Sequence, residues 1–242
     1  MDLKEGVLMN IGVFDSGIGG LTVLDEVVRL MPNYSYIFYG DTANNPYGEK
    51  SDEELIKITS EIVDRLNEQG CKLIIIACNT ATTRCRNKLM ELYPDNVFIG
   101  TVPAVKLACD KDYKNILVMA TPATIDSERL HQIADENIRA DQNIYYLPCP
   151  GLANAIERND EDEINQILDE LFEPYYDKNI DAVVLGCTHY PFIKKEIAQR
   201  LPDAVLLDGS NGVAREARHQ LIEHGWYNEN DEPCHLEFTF TK

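Results

Sequence analysis

The sequence predicts an α/β protein made of two similar domains, each with a mostly parallel sheet flanked by helices, and an active-site cleft between them. Three observations predict it. Short apolar runs alternate with helical patterns along the chain. Runs such as LIIIA at 73–77 are apolar on both faces, as strands buried between helix layers must be. The rhythm then restarts after Thr101, which marks a second unit of comparable size.

In chain order, the strand MNIGVF at 9–14 runs through glycines into a helix over 20–31, followed by a strand at 35–40. The next helix, 52–68, carries the strongest local signals: Ser51 and Glu54 in capping-box spacing, Leu55, Ile58, Ile62 and Leu66 on one face, and Gly70 just beyond its end. A strand at 73–77, a helix over 80–92 and a strand at 97–101 complete the first series. The second series reads helix 103–109, strand 115–120, helix 123–137, strand 144–147, helices 151–158 and 161–177, strand 182–186, helix 191–200 and strand 204–207. From Gly209 a helix over 211–224 precedes a short alternating strand, HLEFTFT, which can return to either half. The expected division is therefore 1–101 plus 209–242 for one domain and 102–208 for the other. No low-complexity linker separates them, so the lobes are expected to pack closely.

Composition narrows the functional classes. A net charge of −19, from 41 acidic and 22 basic residues, argues against sequence-independent binding to nucleic acid or to an anionic membrane. The first ten residues carry both charge signs and no signal-peptide core, and no apolar run is long enough to cross a bilayer, so a cytoplasmic protein is expected. The cysteines at 71, 78, 85, 109, 149, 187 and 234 are odd in number and show no Cys-x-x-Cys spacing, which reads as free thiols. Cys71, Cys78 and Cys85 recur every seven residues, yet they fall before a strand, at its end and in the next helix, so no metal site is expected.

In open α/β sheets, ligands bind beyond the carboxyl ends of the strands. Four segments occupy such positions: Asp15-Ser16-Gly17, Asn45-Pro46-Tyr47-Gly48, Cys78-Asn79-Thr80 and Cys187-Thr188-His189. Cys78 and Cys187 form the informative pair, because LIIIACNTAT at 73–82 and AVVLGCTHYP at 182–191 repeat one device. Two thiols at the ends of two buried strands can address opposite faces of one carbon, the geometry for moving a proton from one face to the other. Each lies near a helix N-terminus, where the dipole is expected to lower a thiol pKa. The DSGIGG segment fits a phosphate loop poorly, having no G-x-G-x-x-G and no Walker lysine, and Asp15 is better read as the group that orients a nearby thiol. His189 can hold or relay the proton of Cys187. Arg84 and Arg86 are expected on a solvated helix face. Ser16, Tyr47, Asn79, Thr80 and Thr188 offer neutral donors for carboxylates and acceptors for an ammonium group.

These same segments, IGVFDSGIGGLTVL, YGDTANNPYGEKS, IIIACNTAT, MATPATIDS, VVLGCTHYPFI and LLDGS, occur in the order and spacing of the glutamate racemases, which the chain resembles over essentially its whole length. These are cofactor-independent members of the aspartate/glutamate racemase superfamily. The resemblance implies two facing α/β domains, no cofactor and no metal, Cys78 and Cys187 as the two bases, and D-glutamate made for peptidoglycan. It implies substrate held by Asp15, Ser16, Pro46, Tyr47, Gly48, Asn79, Thr80, Thr188 and His189. It also implies that Asp15 assists Cys78 and that His189 with Glu157 assists Cys187. No regulation through an N-terminal extension is expected. The partner is a small molecule, and a homodimer that closes the cleft is compatible with the layout. Three other readings stay open: an aspartate racemase, a hydrolase using one thiol with His189 as base, and a non-catalytic amino-acid-binding module.

Overall fold

A computed structural model describes residues 9–227 and 235–242. The first unit contains β1 (Asn10–Asp15), α1 (Leu21–Leu30), β2 (Ser35–Gly40), α2 (Asp52–Glu68), β3 (Leu73–Ile76), α3 (Asn79–Leu92) and β4 (Val97–Gly100). The second contains α4 (Val105–Asp110), β5 (Asn115–Ala120), α5 (Pro122–Ile125), α6 (Glu128–Asn137), β6 (Asn143–Pro148), α7 (Leu152–Glu157), α8 (Glu161–Phe172), β7 (Ala182–Leu185), α9 (Lys194–Arg200) and β8 (Val205–Asp208). The chain ends with α10 (Ser210–Glu223) and β9 (Leu236–Phe240). Five strands form one sheet in the order β4-β3-β1-β2-β9, and four form another in the order β6-β5-β7-β8. Every neighbouring pair is parallel.

Parallel strands need helices on both faces, and the sequence supplies them. All four residues of β3 and all four of β7 are buried. One face of the first sheet packs Val13, Phe38 and Ile75 against α1 and α10. Its other face packs Phe14, Ile74 and Ile76 against α2 and α3. Each such apolar side chain withdrawn from water contributes about 2 kcal/mol before the entropy of ordering it is subtracted. The predicted capping box starts α2: Glu54 N donates to Ser51 Oγ at 3.2 Å, and Ser51 N donates to the Glu54 carboxylate at 2.9 Å.

Where structure and expectation differ, local chemistry accounts for it. The single helix expected over 123–137 is two, because Thr121 caps α5 and Ser127, accepting from Leu130 N, starts α6. The helix expected to reach 177 stops at Phe172 and passes into a 3-10 turn, Glu173–Tyr175, where Pro174 has no N–H to donate. The segment expected as helix from 191 begins as a 3-10 turn, Tyr190–Ile193, ahead of α9. The HLEFTFT strand joins the first sheet, beside β2. Among the described residues six cysteines are free and buried, no three potential ligands gather for a metal, and no helix is long and apolar enough to cross a membrane. Cys234 lies outside the described residues.

Candidate active site

The sheet order places the chemistry. β1 and β3 are neighbours in register Phe14↔Ile76, so Asp15-Ser16 and Cys78-Asn79 leave the sheet side by side. β5 and β7 are neighbours in register Met119↔Leu185, so Thr121 and Cys187-Thr188 emerge together from the other sheet. The two sets of loops face each other and hydrogen-bond across the cleft. Thr22 Oγ1 donates to Thr188 O at 3.2 Å, Thr188 Oγ1 donates to Asp15 Oδ1 at 3.3 Å, and Ile18 N donates to both oxygens of Glu157 at 3.2 Å.

Between them lies a narrow pocket of about 30 Å³. Both thiols, Cys78 and Cys187, line it, as do Ser16, Pro46, Tyr47, Gly48, Asn79, Thr80, Thr188 and His189. The pocket therefore gathers every residue expected of it except Asp15 and Glu157, which stand behind the wall. Asn45, Thr121, Thr124, Ala153 and Gly186 also line it. A larger open groove, about 1290 Å³, runs beside α3, α6 and α10 and contains neither thiol.

Asp15 is fully buried, and its carboxylate accepts from Gly17 N at 3.3 Å, Gly20 N at 2.9 Å and Thr188 Oγ1. It caps its own loop and holds the facing loop. Asp15, expected to orient the nearby thiol, acts on Cys78 through its charge, while Cys78 Sγ donates to Ser16 Oγ at 3.7 Å. One expectation about that thiol's acidity is corrected. Cys78 sits at the N-cap of α3, but burial, followed by the charge of Asp15, pushes its pKa up. The Ala81 N–H and the Ser16 hydroxyl pull the other way and lose. Burial likewise raises the Asp15 carboxyl above its ordinary range, against the pull of His189 and the two glycine N–H groups.

The second thiol has different neighbours. His189 Nδ1 is 3.7 Å from Cys187 Sγ, and His189 Nε2 is 2.5 Å from Glu157 Oε2. Burial disfavours the imidazolium, but Cys187 and Glu157 outweigh it and push His189 up to about 10. The His189 side chain is 2% exposed and that of Glu157 16%, so the pair forms a relay from a buried sulfur toward solvent. Glycines make this contact possible. A Cβ at Gly17 would stand 2.5 Å from Glu157 Oε2, and one at Gly19 would stand 2.6 Å from His189 Nδ1. Close approach of the two lobes, not phosphate binding, is what the DSGIGG glycines permit.

The raised imidazole has a consequence for stability. With a folded value of about 10 against an ordinary 6.5, the folded protein keeps a proton that the unfolded chain releases. This contribution is fully present below pH 6.5 and is lost as the pH climbs toward about 10. Cys78, also raised, acts in the same sense once an unfolded thiol begins to ionise. The thermal unfolding midpoint should therefore fall across that window, and His189→Asn should flatten the fall. An equally steep fall in the variant would show that another group carries the linkage.

Arg84 and Arg86, expected on a solvated face, are partly buried. Arg84 Nη2 donates to Lys50 O at 2.7 Å and pairs with Asp52, and Arg84 Nη1 donates to Tyr47 O at 3.4 Å. It fastens the loop that carries Tyr47 and Gly48. Arg86 donates to Phe98 O at 3.2 Å. Thr121 and Thr124 were not singled out from the sequence, although Thr121 follows a buried strand, the criterion that found the other segments. Thr80 Oγ1 lies 3.1 Å from Thr121 Oγ1 and 3.5 Å from Thr124 Oγ1, joining hydroxyls of both lobes.

Residues 11–217 match the family described as Asp/Glu/Hydantoin racemase. The chain belongs to that family. It is 39% identical over 240 residues to a glutamate racemase of Clostridium perfringens, covering 98% of this chain and 91% of the relative. The structure superposes on a glutamate racemase isoform from Bacillus anthracis with a TM-score of 0.84 at 30% identity, covering 97% of this chain and 89% of the other. It also superposes on the Francisella tularensis glutamate racemase in complex with D-glutamate, with a TM-score of 0.81 at 33% identity over 97% and 88% of the two chains. The two parallel-sheet α/β units, of five and four strands, match those glutamate racemase structures.

Proposed function

We propose that this chain is a glutamate racemase, an isomerase that interconverts L- and D-glutamate by proton transfer at Cα between two cysteines and without a cofactor. The observation that carries the reading is that Cys78 and Cys187 open into one pocket from facing sheets. The names of its relatives and the D-glutamate held by the Francisella enzyme support glutamate as the substrate. Supply of D-glutamate to peptidoglycan is the role proposed with it. The boundaries 1–101 plus 209–242 and 102–208 belong to the same reading, supported by α10 residues Val213, Ala217 and Leu221 sharing a core cluster with β1 and α1.

The two thiols start in different states. Cys187, beside a His189 whose imidazole is pushed up to about 10 and so stands as a cation next to the sulfur, is assigned the base, and Cys78, held protonated by burial and by Asp15, is assigned the acid. In the reverse direction the roles exchange. A Cα proton is a weak acid, so the carboxylate of the developing carbanion needs donors already in place. The N–H groups at the start of α3 and the Asn79 and Thr80 side chains supply them from buried positions. Asn79 Oδ1 is buried with no hydrogen-bond partner among the described residues, which leaves an acceptor for the substrate ammonium. A pocket of about 30 Å³ holds about one water, so glutamate enters only when the lobes part and the Ile18–Glu157 and Thr22–Thr188 bonds open.

The test is incubation of the protein with each enantiomer of glutamate and of aspartate in deuterated water, following optical rotation and Cα deuterium together. Glutamate of either hand should lose its rotation while taking up deuterium. Faster turnover of aspartate would reassign the substrate, and release of ammonia or a trapped acyl-enzyme would point to a hydrolase.

A further inference from the structure

We propose that Thr241, at the end of β9, is a positioning residue for substrate binding: it holds Asp41, and Asp41 holds Tyr47 in the pocket wall. The inference rests on the racemase reading and adds a part of the chain remote in sequence from every residue of the site. β9 pairs with β2 so that Phe240 lies opposite Gly40, and Thr241 N donates to Gly40 O at 3.1 Å. The Phe240 ring covers Gly40 so closely that a Cβ there would stand 2.5 Å from its Cδ1. The threonine is thereby fixed beside the loop that leaves β2. Its hydroxyl donates to Asp41 Oδ1 at 2.9 Å and accepts from Ala43 N at 2.9 Å, while its carbonyl accepts from Thr42 Oγ1.

Asp41 is the hub. The residue is 2% exposed, and its carboxylate accepts from Thr241 Oγ1, from Asn44 Nδ2 at 3.0 Å and from Tyr47 OH at 2.8 Å. A buried carboxylate holds its place only while its donors remain, because each missing one leaves charge without compensation. Tyr47, equally buried, lines the substrate pocket next to Pro46 and Gly48. Burial and the Asp41 charge push its phenol up, so it remains a donor committed to Asp41. The chain of bonds Thr241–Asp41–Tyr47 thus connects the edge of the first sheet to the wall facing Thr121 and Thr124. None of its hydrogen bonds goes to a thiol, so its loss should act mainly on substrate affinity and leave the proton-transfer step nearly intact.

The experiment compares Thr241→Val and Thr241→Ala with Thr241→Ser in the full chain, recording KM, kcat and hydrogen exchange of the segment 41–48. Thr241 is only partly buried, and the hydroxyl-free variants leave the core untouched. Both hydroxyl-free variants should raise KM about tenfold at nearly constant kcat, the size of one lost hydrogen bond to a buried charge, and should speed exchange across the segment. Thr241→Ser should restore both. In a Tyr47→Phe background the KM effect of Thr241→Val should largely vanish, since the two act in series. Unchanged KM and exchange, a fall in kcat with KM constant, or failure of serine to rescue would overturn the proposal. If the unaltered protein does not racemise glutamate while exchange still rises in Thr241→Val, the racemase reading fails and the brace stands.

Discussion

Cys78→Ser and Cys187→Ser should each lower racemisation of glutamate by roughly 10³-fold in both directions, within the range that positioned acid–base groups contribute. Each turnover uses one sulfur to take a proton and the other to give one, so neither can be spared in either direction. Serine keeps the shape of the site, and the two thiols are small groups at strand ends, so folding should survive. The hydroxyl is too weak an acid to replace a thiol in either role. A second readout separates chemistry from collapse. With Cys78 replaced, the enantiomer whose Cα–H faces Cys187 should still exchange that hydrogen with deuterated water and keep its configuration, because removal and return then happen on one face. Replacement of Cys187 should give the same result with the other enantiomer. Retention of near-normal racemisation by either variant would dismiss the two-base reading; a single-cysteine hydrolase would instead show no racemisation in the unaltered protein and hydrolysis that survives loss of one of the two cysteines.

Much of this was legible in the sequence because parallel sheets write themselves plainly. The runs at 73–77 and 182–186 are apolar on both faces, and a polar residue at the end of such a run has to face the ligand side of the sheet. That reasoning reached Asp15, Cys78 and Cys187 and, applied to β5, would have reached Thr121. The partners of these residues were not legible, since they depend on which distant loops meet. Thr188 donates to a carboxylate 173 positions away, and Thr241 to one 200 positions away. The acidity of Cys78 was misjudged for a related reason: the dipole of α3 is visible in the spacing of residues, whereas burial among Asp15 and the facing lobe is not. Arg84 illustrates the same limit, because a helix pattern shows which face a residue occupies but not which loop will fold onto that face. The contribution of the resemblance was different in kind. It pointed to Glu157, which no pattern in CPGLANAIE singles out and which the structure places 2.5 Å from His189.

His189→Asn should lower kcat/KM by roughly 10²-fold, and the way the loss divides between kcat and KM is the sharper test. The relay Cys187–His189–Glu157 serves one thiol, so its removal burdens the direction in which Cys187 must begin as base. Yet L- and D-glutamate are mirror images of equal free energy, which makes the equilibrium constant of racemisation unity. The two values of kcat/KM must then remain equal to each other in any variant, however lopsided the damage. The asymmetry has to appear as a larger fall in kcat for one enantiomer, offset by a KM lower than the other enantiomer's by the same factor. Glu157→Gln should show the same pattern more weakly, because it acts on Cys187 only through the imidazole. In His189→Asn the alkaline limb of the pH profile of kcat/KM, to which an imidazole pushed up to about 10 contributes, should also move; the apparent values belong to the coupled groups of the site together. Steady-state rates for both enantiomers between pH 6 and pH 10, roughly the span over which the thiols and the imidazole exchange protons, provide the check. Symmetric losses in kcat with an unmoved profile would make His189 a packing residue that happens to touch Cys187, and would return the task of poising that thiol to another group.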